Sequence, residues 1–259
     1  MQWIDTHTHL FADLFKEDIS QVITECKIFG INKLLLPNID RDSVLGMEAL
    51  MNQYPGVCYG MMGLHPTSVD KDYRKQLREL HDKLKANPDR YIAVGEIGTD
   101  LYWDKTYEHE MEIAFREQIR WAVEYDKPIV IHSRDSLDWN IGIVKEMKEA
   151  NPSLTGVFHC FNGTPEQAKQ IAALGFYMGV GGVITFKNAG VAETMADIPL
   201  EFLVMETDSP YLAPSPHRGK RNSSVYIPLI AEKLAEVKDL PLKEIAQITT
   251  ENAKALFRL

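Results

Sequence analysis

The stretch "TGVFHCFNGTPEQAKQIAALGFYMGVGG" (residues 155–182) contains one complete copy of a repeating unit. "TGVFHCF" (155–161) is a short apolar run of the kind that forms a buried strand. "TPEQAKQIAALG" (164–175) predicts a helix with both ends marked. Thr164 stands at the cap, Pro165 at the first helical position, Gln167 three residues after the cap, and Gly175 at the stop. A second apolar run, "GFYMGVGG" (175–182), begins at once. Strand, helix and strand joined this tightly form a βαβ unit with parallel strands.

The same pattern extends in both directions. Further apolar runs are "WIDTH" (3–7), "NKLLLP" (32–37), "VCYGMMGLH" (57–65), "RYIAVGEIG" (90–98), "PIVIHSR" (128–134) and "EFLVMETD" (201–208). Their continuous rather than alternating apolar character suits parallel strands covered on both faces. Amphipathic stretches lie between them, clearest at 107–126 and 226–240. No Ser/Gly-rich linker, low-complexity tract or charge block divides the chain. The expectation is one domain over 1–259, an α/β fold closed as a (β/α)8 TIM barrel, with its active site at the C-terminal ends of the strands. A doubly wound open sheet is the competing architecture, but no GxGxxG follows the first strand.

Composition narrows the function. The chain has 259 residues, 28 basic and 37 acidic side chains, and a net charge of −9. That balance excludes a broad basic footprint for nucleic acid. It does not exclude a nucleic-acid substrate at a metal site, where the ion supplies local positive charge. Cys26, Cys58 and Cys160 form no CxxC pair, which suits a reducing compartment. There is no basic leader followed by an apolar segment and no run long enough for a membrane span, so a cytoplasmic location is expected.

The unusual residues fall at strand ends. Strand one ends in His7 and His9, strand three in His65, strand four in Glu96, strand five in His132, strand six in His159 and strand eight in Asp208. A lone histidine at such a place is ordinary. A glutamate inside an apolar run needs an arginine or a metal as partner, because an unpaired buried carboxylate is costly. Six metal-type ligands on one rim point to a metal site: His7, His9, Glu96, His132, His159 and Asp208. By strand alternation Asp5 shares the face of His7 and His9. Imidazole with carboxylate suits zinc, manganese or iron, and carboxylate with water suits magnesium. So many ligands exceed what one catalytic ion uses, which favours two ions bridged by a carboxylate, with Glu96 as the candidate. His81 and His109 lie in helical patterns as surface side chains, and His217 lies in a loop with no assigned role. Cys160 alternates away from His159 and is expected to pack outside the lumen.

The ordered set "DTHTHL", "GLHP", "GEIGTDLYWD", "IHSRD", "FHCFNG", "ETDSPYLAP", "RGKRN" and "NAKALF" resembles the TatD family of metal-dependent deoxyribonucleases, within the amidohydrolase-like barrel superfamily. The resemblance spans essentially the whole chain. It implies a hydrolase that cleaves DNA phosphodiester bonds with a metal-activated hydroxide at a site of two divalent ions (Mg, Mn or Zn). It implies His7 and His9 as one metal pair, Glu96 as the bridge, His132 and His159 as further ligands, and Asp208 as ligand and proton acceptor. Glu96 and Asp208 are thus the expected catalytic pair. Asp5 and Glu206 are expected behind the ligands, the alternative for Glu206 being an ordinary structural hydrogen bond. His65 resembles the family's phosphate contact, and Arg134, Arg221 and Asn222 resemble residues lining the substrate side. The alternative for the arginines is an intramolecular ion pair.

The acidic exterior points to single-stranded or frayed DNA ends rather than a long duplex footprint, with no obligate protein partner. Two departures fall near the rim. Thr99 replaces an apolar residue in "GEIGTDLYW", and Ser223 and Ser224 replace an acid and a proline after "RGKRN". The competing activity is an amidohydrolase-type barrel enzyme acting on an amide or ester of a small metabolite.

Overall fold

The computed structural model describes residues 1–259. Eight strands follow in chain order: β1 (Trp3–Asp5), β2 (Ile31–Pro37), β3 (Cys58–Met62), β4 (Tyr91–Asp100), β5 (Ile129–Arg134), β6 (Gly156–Phe158), β7 (Tyr177–Val180) and β8 (Leu203–Met205). Each pairs in parallel with the next. The ring closes between β1 and β8 just beyond the named strands. Thr6 N–H donates to Met205 O (3.0 Å), Asp208 N–H to His7 O (2.9 Å) and His9 N–H to Ser209 O (2.7 Å). This is the TIM barrel expected from the repeating unit.

Eight helices alternate with the strands: α1 (Ile19–Ile28), α2 (Val44–Gln53), α3 (Tyr73–Ala86), α4 (Glu108–Glu124), α5 (Leu137–Ala150), α6 (Pro165–Ala173), α7 (Val191–Asp197) and α8 (Ile227–Lys238). The cap of α6 forms as its sequence requires. Gln167 N–H donates to Thr164 Oγ1 (3.3 Å), and Thr164 N–H donates to Gln167 Oε1 (2.9 Å). Gly175 then turns the chain at φ +70°, a conformation other residues adopt at a cost. The third run is shorter than expected: β3 stops at Met62, and His65 instead caps a 3-10 turn at Pro66–Ser68.

A ninth helix, α9 (Leu242–Phe257), was not anticipated. It closes the N-terminal end of the barrel. Its Ala253, Leu256 and Phe257 join Ile4, Leu35, Met61, Ala93, Val130, Val157 and Val204, one residue from each of seven strands, in the apolar filling of the lumen. A larger apolar shell of 55 buried residues packs the helices against the outside of the strands. The lumen is therefore plugged from below, and polar groups collect at the open C-terminal end. No helix is long and apolar enough to cross a membrane.

Candidate metal centre and its cleft

Each polar group at the mouth is placed by a local departure from regular strand. The chain leaves its extended path after Asp5 and bends at Thr6 and His7. That bend, pinned by the bonds to Met205 and Ser209, brings His7 Nε2 and His9 Nε2 within 3.3 Å. It also breaks the alternation that would put Asp5 beside them. Ile4, not Asp5, joins the lumen filling, and the Asp5 carboxylate accepts from Thr207 N–H (3.0 Å) and Thr207 Oγ1–H (2.6 Å). Asp5 thus ties β1 to the chain after β8 and does not touch the imidazoles. Its expected place on their face is corrected.

Glu96 sits where the β4–β5 register shifts, between Val94 and Ile97. Its N–H donates to Asn38 O (3.1 Å), and its side chain is almost completely buried. His132 lies on β5, with its carbonyl accepting from Asn140 Nδ2 (2.8 Å). β4 passes close to that carbonyl at Gly98, where a Cβ would overlap it. His159 follows β6 directly, and Asp208, at φ +56°, turns its carboxylate toward the same point.

Glu96 divides these groups into two sets. Its Oε2 faces His7 Nε2 (3.2 Å) and His9 Nε2 (3.6 Å), and Asp208 Oδ1 lies 3.7 and 3.4 Å from the same two nitrogens. Its Oε1 faces His132 Nδ1 (2.9 Å), His159 Nε2 (2.9 Å) and His65 Nε2 (3.3 Å). Donors around a tetrahedral ion with bonds of about 2.0–2.2 Å stand about 3.3–3.6 Å apart. The separations in the first set match that spacing. Two imidazoles and two carboxylates with lone pairs facing one point therefore fit a divalent cation in both chemistry and size.

His65 differs from the other histidines. Its Nδ1 accepts from Thr67 N–H (3.2 Å) and lies 2.7 Å from Thr67 Oγ1. A backbone N–H can only donate, which assigns the ring proton to Nε2. His65 therefore carries its ring proton on Nε2, the nitrogen 3.3 Å from Glu96 Oε1, and offers no metal-binding lone pair there.

Two carboxylates stand behind the second set. Asp100 Oδ2 lies 2.8 Å from His132 Nε2, and Glu206 Oε1 lies 3.6 Å from His159 Nδ1. Carboxylates in this position fix the ring orientation and raise the basicity of the ligating nitrogen. Glu206 was expected, and it fits because a Cβ at Gly179 would overlap its carboxylate. Asp100 was not assigned a role, although its spacing from Glu96 on one strand places both on one face. Asp100→Asn is expected to weaken divalent-ion affinity about 10–100-fold, measured by titration calorimetry.

Electrostatics follow from crowding five imidazoles around one carboxylate. Burial alone would raise Glu96, but His159, His65 and His7 together with the His132 hydrogen bond hold it well below the usual carboxylate range. Burial lowers His7, reinforced by the neighbouring His159. His159 is instead raised well above the ordinary imidazole value, because Glu96 and Glu206 outweigh its burial. Asp208 is likewise lowered against the effect of burial, by its hydrogen bond with His9 and by the surrounding imidazoles.

The cleft above the centre has a volume of ≈ 730 Å³ and is lined by His65, Arg134, Asp208 and Tyr211 among others. Arg134 is at the mouth as expected, its guanidinium 3.8 Å over the Tyr102 ring. Arg221 and Asn222 are elsewhere. Arg221 is spent on a bidentate pair with Asp18 (2.9 and 2.6 Å) and on Leu14 O (2.6 Å). Asn222 is fully buried and donates to Thr207 O (2.7 Å) and Tyr211 O (2.6 Å). Both hold the loop after β8 and are corrected from substrate contacts to loop anchors. Cys160 is corrected in the opposite direction. β6 ends before it, its φ is +47°, and it lines the cleft. Thr99 faces away from the cleft and donates to Asn140 Oδ1 (2.8 Å).

The Arg221 pair yields a pH prediction. Asp18 is held below its ordinary value by the Arg221 hydrogen bond. A lowered carboxyl contributes stability above its unfolded pKa and loses it as pH falls through the folded value. Arg221→Ala is expected to cost about 0.5–1 kcal/mol more at neutral pH than near about pH 2, since the solvent-screened Asp18 pair titrates and the bond to Leu14 O does not. Urea melts at the two pH values check this.

The chain matches the family model described as TatD related DNase over residues 4–258. It is 37% identical to the uncharacterized metal-dependent hydrolase YabD of Bacillus subtilis, over 98% of both chains. The crystal structure of YjjV, a TatD homolog from Escherichia coli, superposes with a TM-score of 0.93 at 30% identity, covering 99% of this chain and 98% of that one. A TatD family hydrolase from Entamoeba histolytica shares the fold, with a TM-score of 0.86 at 24% identity over 99% of this chain and 98% of that one. With the family model covering nearly every residue and the donor groups gathered at the barrel mouth, the chain belongs to the TatD family and is a metal-dependent hydrolase.

Proposed function

We propose that the chain is a two-ion phosphodiesterase of the deoxyribonuclease type, acting on single-stranded or frayed DNA ends. The observation that carries this reading is Glu96, whose two oxygens face separate donor sets. His7, His9, Glu96 Oε2 and Asp208 would hold one divalent ion. Glu96 Oε1, His132 and His159 would hold the other. Ions in these positions supply a water acidic enough to ionise near neutral pH and positive charge for phosphate oxygens.

The remaining steps fall to the chain's own groups. The Asp208 carboxylate opens into the cleft and is placed to accept a proton from the attacking water. His65 directs its Nε2–H toward the cleft, where it would donate to a non-bridging phosphate oxygen. Arg134, held over Tyr102, offers its planar donor fork to a neighbouring phosphate. The family description, TatD related DNase, supports DNA as the substrate class. The net charge of −9 favours a short footprint confined to the mouth.

The test is turnover after reconstitution with Mg, Mn or Zn, on single-stranded DNA, duplex DNA, RNA and a panel of carboxylic esters and lactones. Single-stranded DNA is expected to be cleaved fastest, with activity lost in chelator and restored by the ion. Hydrolysis of an ester or lactone without any phosphodiester cleavage would move the assignment to a small-metabolite hydrolase.

A further inference from the structure

The rim of the cleft carries aromatic rings that the chemistry above does not use. Trp103 is 68% exposed and Tyr102 53% exposed, unusually open for side chains of this size. Both sit in the loop after β4. The Arg134 guanidinium lies 3.8 Å over Tyr102 and 5.0 Å over Trp103. A second such pair stands about three strands further round the barrel. There the Arg218 guanidinium lies 4.0 Å over Phe186. Trp103, Arg134 and Phe186 line the catalytic cleft itself, and an adjoining groove shares Phe186 and continues past Lys187 and Arg218.

These two arginines are unlike most others in the chain. Arg41, Arg90, Arg116, Arg221 and Arg258 are paired with carboxylates. Arg134 and Arg218 have no such partner and are held by stacking, on a protein whose net charge is −9. An unpaired guanidinium fixed over an aromatic ring, open to solvent at Tyr102 and Trp103 and half-buried at Phe186, offers a charge to a phosphate and a flat surface to a base. Alternating cations and aromatic faces are what single-stranded nucleic acid binds without sequence preference.

We propose that Trp103 with Tyr102 and Arg134, and Phe186 with Arg218 and Lys187, form two base-stacking stations that hold single-stranded nucleic acid on either side of the metal centre. This rests on the phosphodiesterase reading and extends it, because it places the preference for a polymer over a small ester on the rim. It also explains how an acidic protein grips a polyanion: the contact is short, stacked and limited to the mouth.

The experiment is binding of a short fluorescein-labelled oligothymidylate to the full chain in chelator, followed by anisotropy, so that cleavage does not enter. Trp103→Ala and Arg218→Ala are each expected to weaken binding about tenfold. Arg218→Ala should also reduce the salt dependence by about one phosphate contact. Trp103→Phe, which keeps a stacking face, should bind within about threefold of the wild type. If the wild type cleaves the oligonucleotide but both alanine variants bind it as tightly as the wild type, the stations are refuted and the phosphodiesterase reading stands. If the wild type neither binds nor cleaves it, both readings fall.

Discussion

Glu96→Gln is expected to lower metal-dependent turnover by about a thousandfold or more at saturating metal, with the circular dichroism spectrum unchanged. The substitution keeps the shape of the side chain and removes one of its two anionic donors. In the wild type Oε2 faces His7 and His9, and Oε1 faces His132 and His159. An amide has one oxygen and one NH2 group, and the NH2 group has no lone pair to give a cation. Whichever way Gln turns, one donor set loses its shared ligand. The fold should survive because the apolar filling of the lumen and the α9 plug form a separate cluster. Turnover within tenfold of the wild type would show that the centre does not depend on a shared carboxylate.

Asp208→Asn is expected to cost about 100–1000-fold in kcat and to leave one donor set whole. Asp208 adopts φ +56°, and Asn is among the residues that tolerate this region. The backbone bond to His7 O is therefore retained. What is lost is a charge beside His7 and His9 and the most exposed of the three carboxylates lining the cleft, the one placed to accept a proton. Glu96 Oε1, His132 and His159 are untouched, so this variant should still bind an ion. A variant that binds no ion at all, or that turns over as the wild type does, would contradict the division into two sets. Steady-state kinetics with parallel metal analysis distinguishes these outcomes.

Much of this site could be read from the sequence because a parallel barrel strand is buried on both faces. Its apolar run stands out, and a His or Glu at its end stands out further. The helix at 164–175 was legible from its caps, as the reciprocal bonds of Thr164 and Gln167 bear out, and the strand at 155–161 was legible in place but not in length, since β6 covers only Gly156–Phe158. Two of the errors share one physical origin, the use of strand alternation where the chain is no longer a strand. Asp5 and Cys160 were both placed by alternation, but β1 bends after Asp5 and β6 stops before Cys160.

Asp100 was missed for the opposite reason. β4 runs on to residue 100, so alternation from Glu96 would have found it. Helix α9 was obscured by its polar turn of Thr249, Thr250, Glu251 and Asn252, which interrupts the apolar stripe. Thr249 spends its hydroxyl on Ile245 O within the helix, and Asn252 bonds the carbonyls of Leu200 and Leu203. Arg221 could not be resolved from sequence at all. A guanidinium suits a phosphate and a carboxylate equally, and its partner Asp18 lies 203 residues away.

Glu96 is proposed to join two ions. Metal content per chain, measured by plasma mass spectrometry after equilibration with Mn or Zn and gel filtration, tests it most directly. Two ions per wild-type chain and no more than one per Glu96→Gln chain is the predicted result. One ion in the wild type, or two retained in Glu96→Gln, would contradict it.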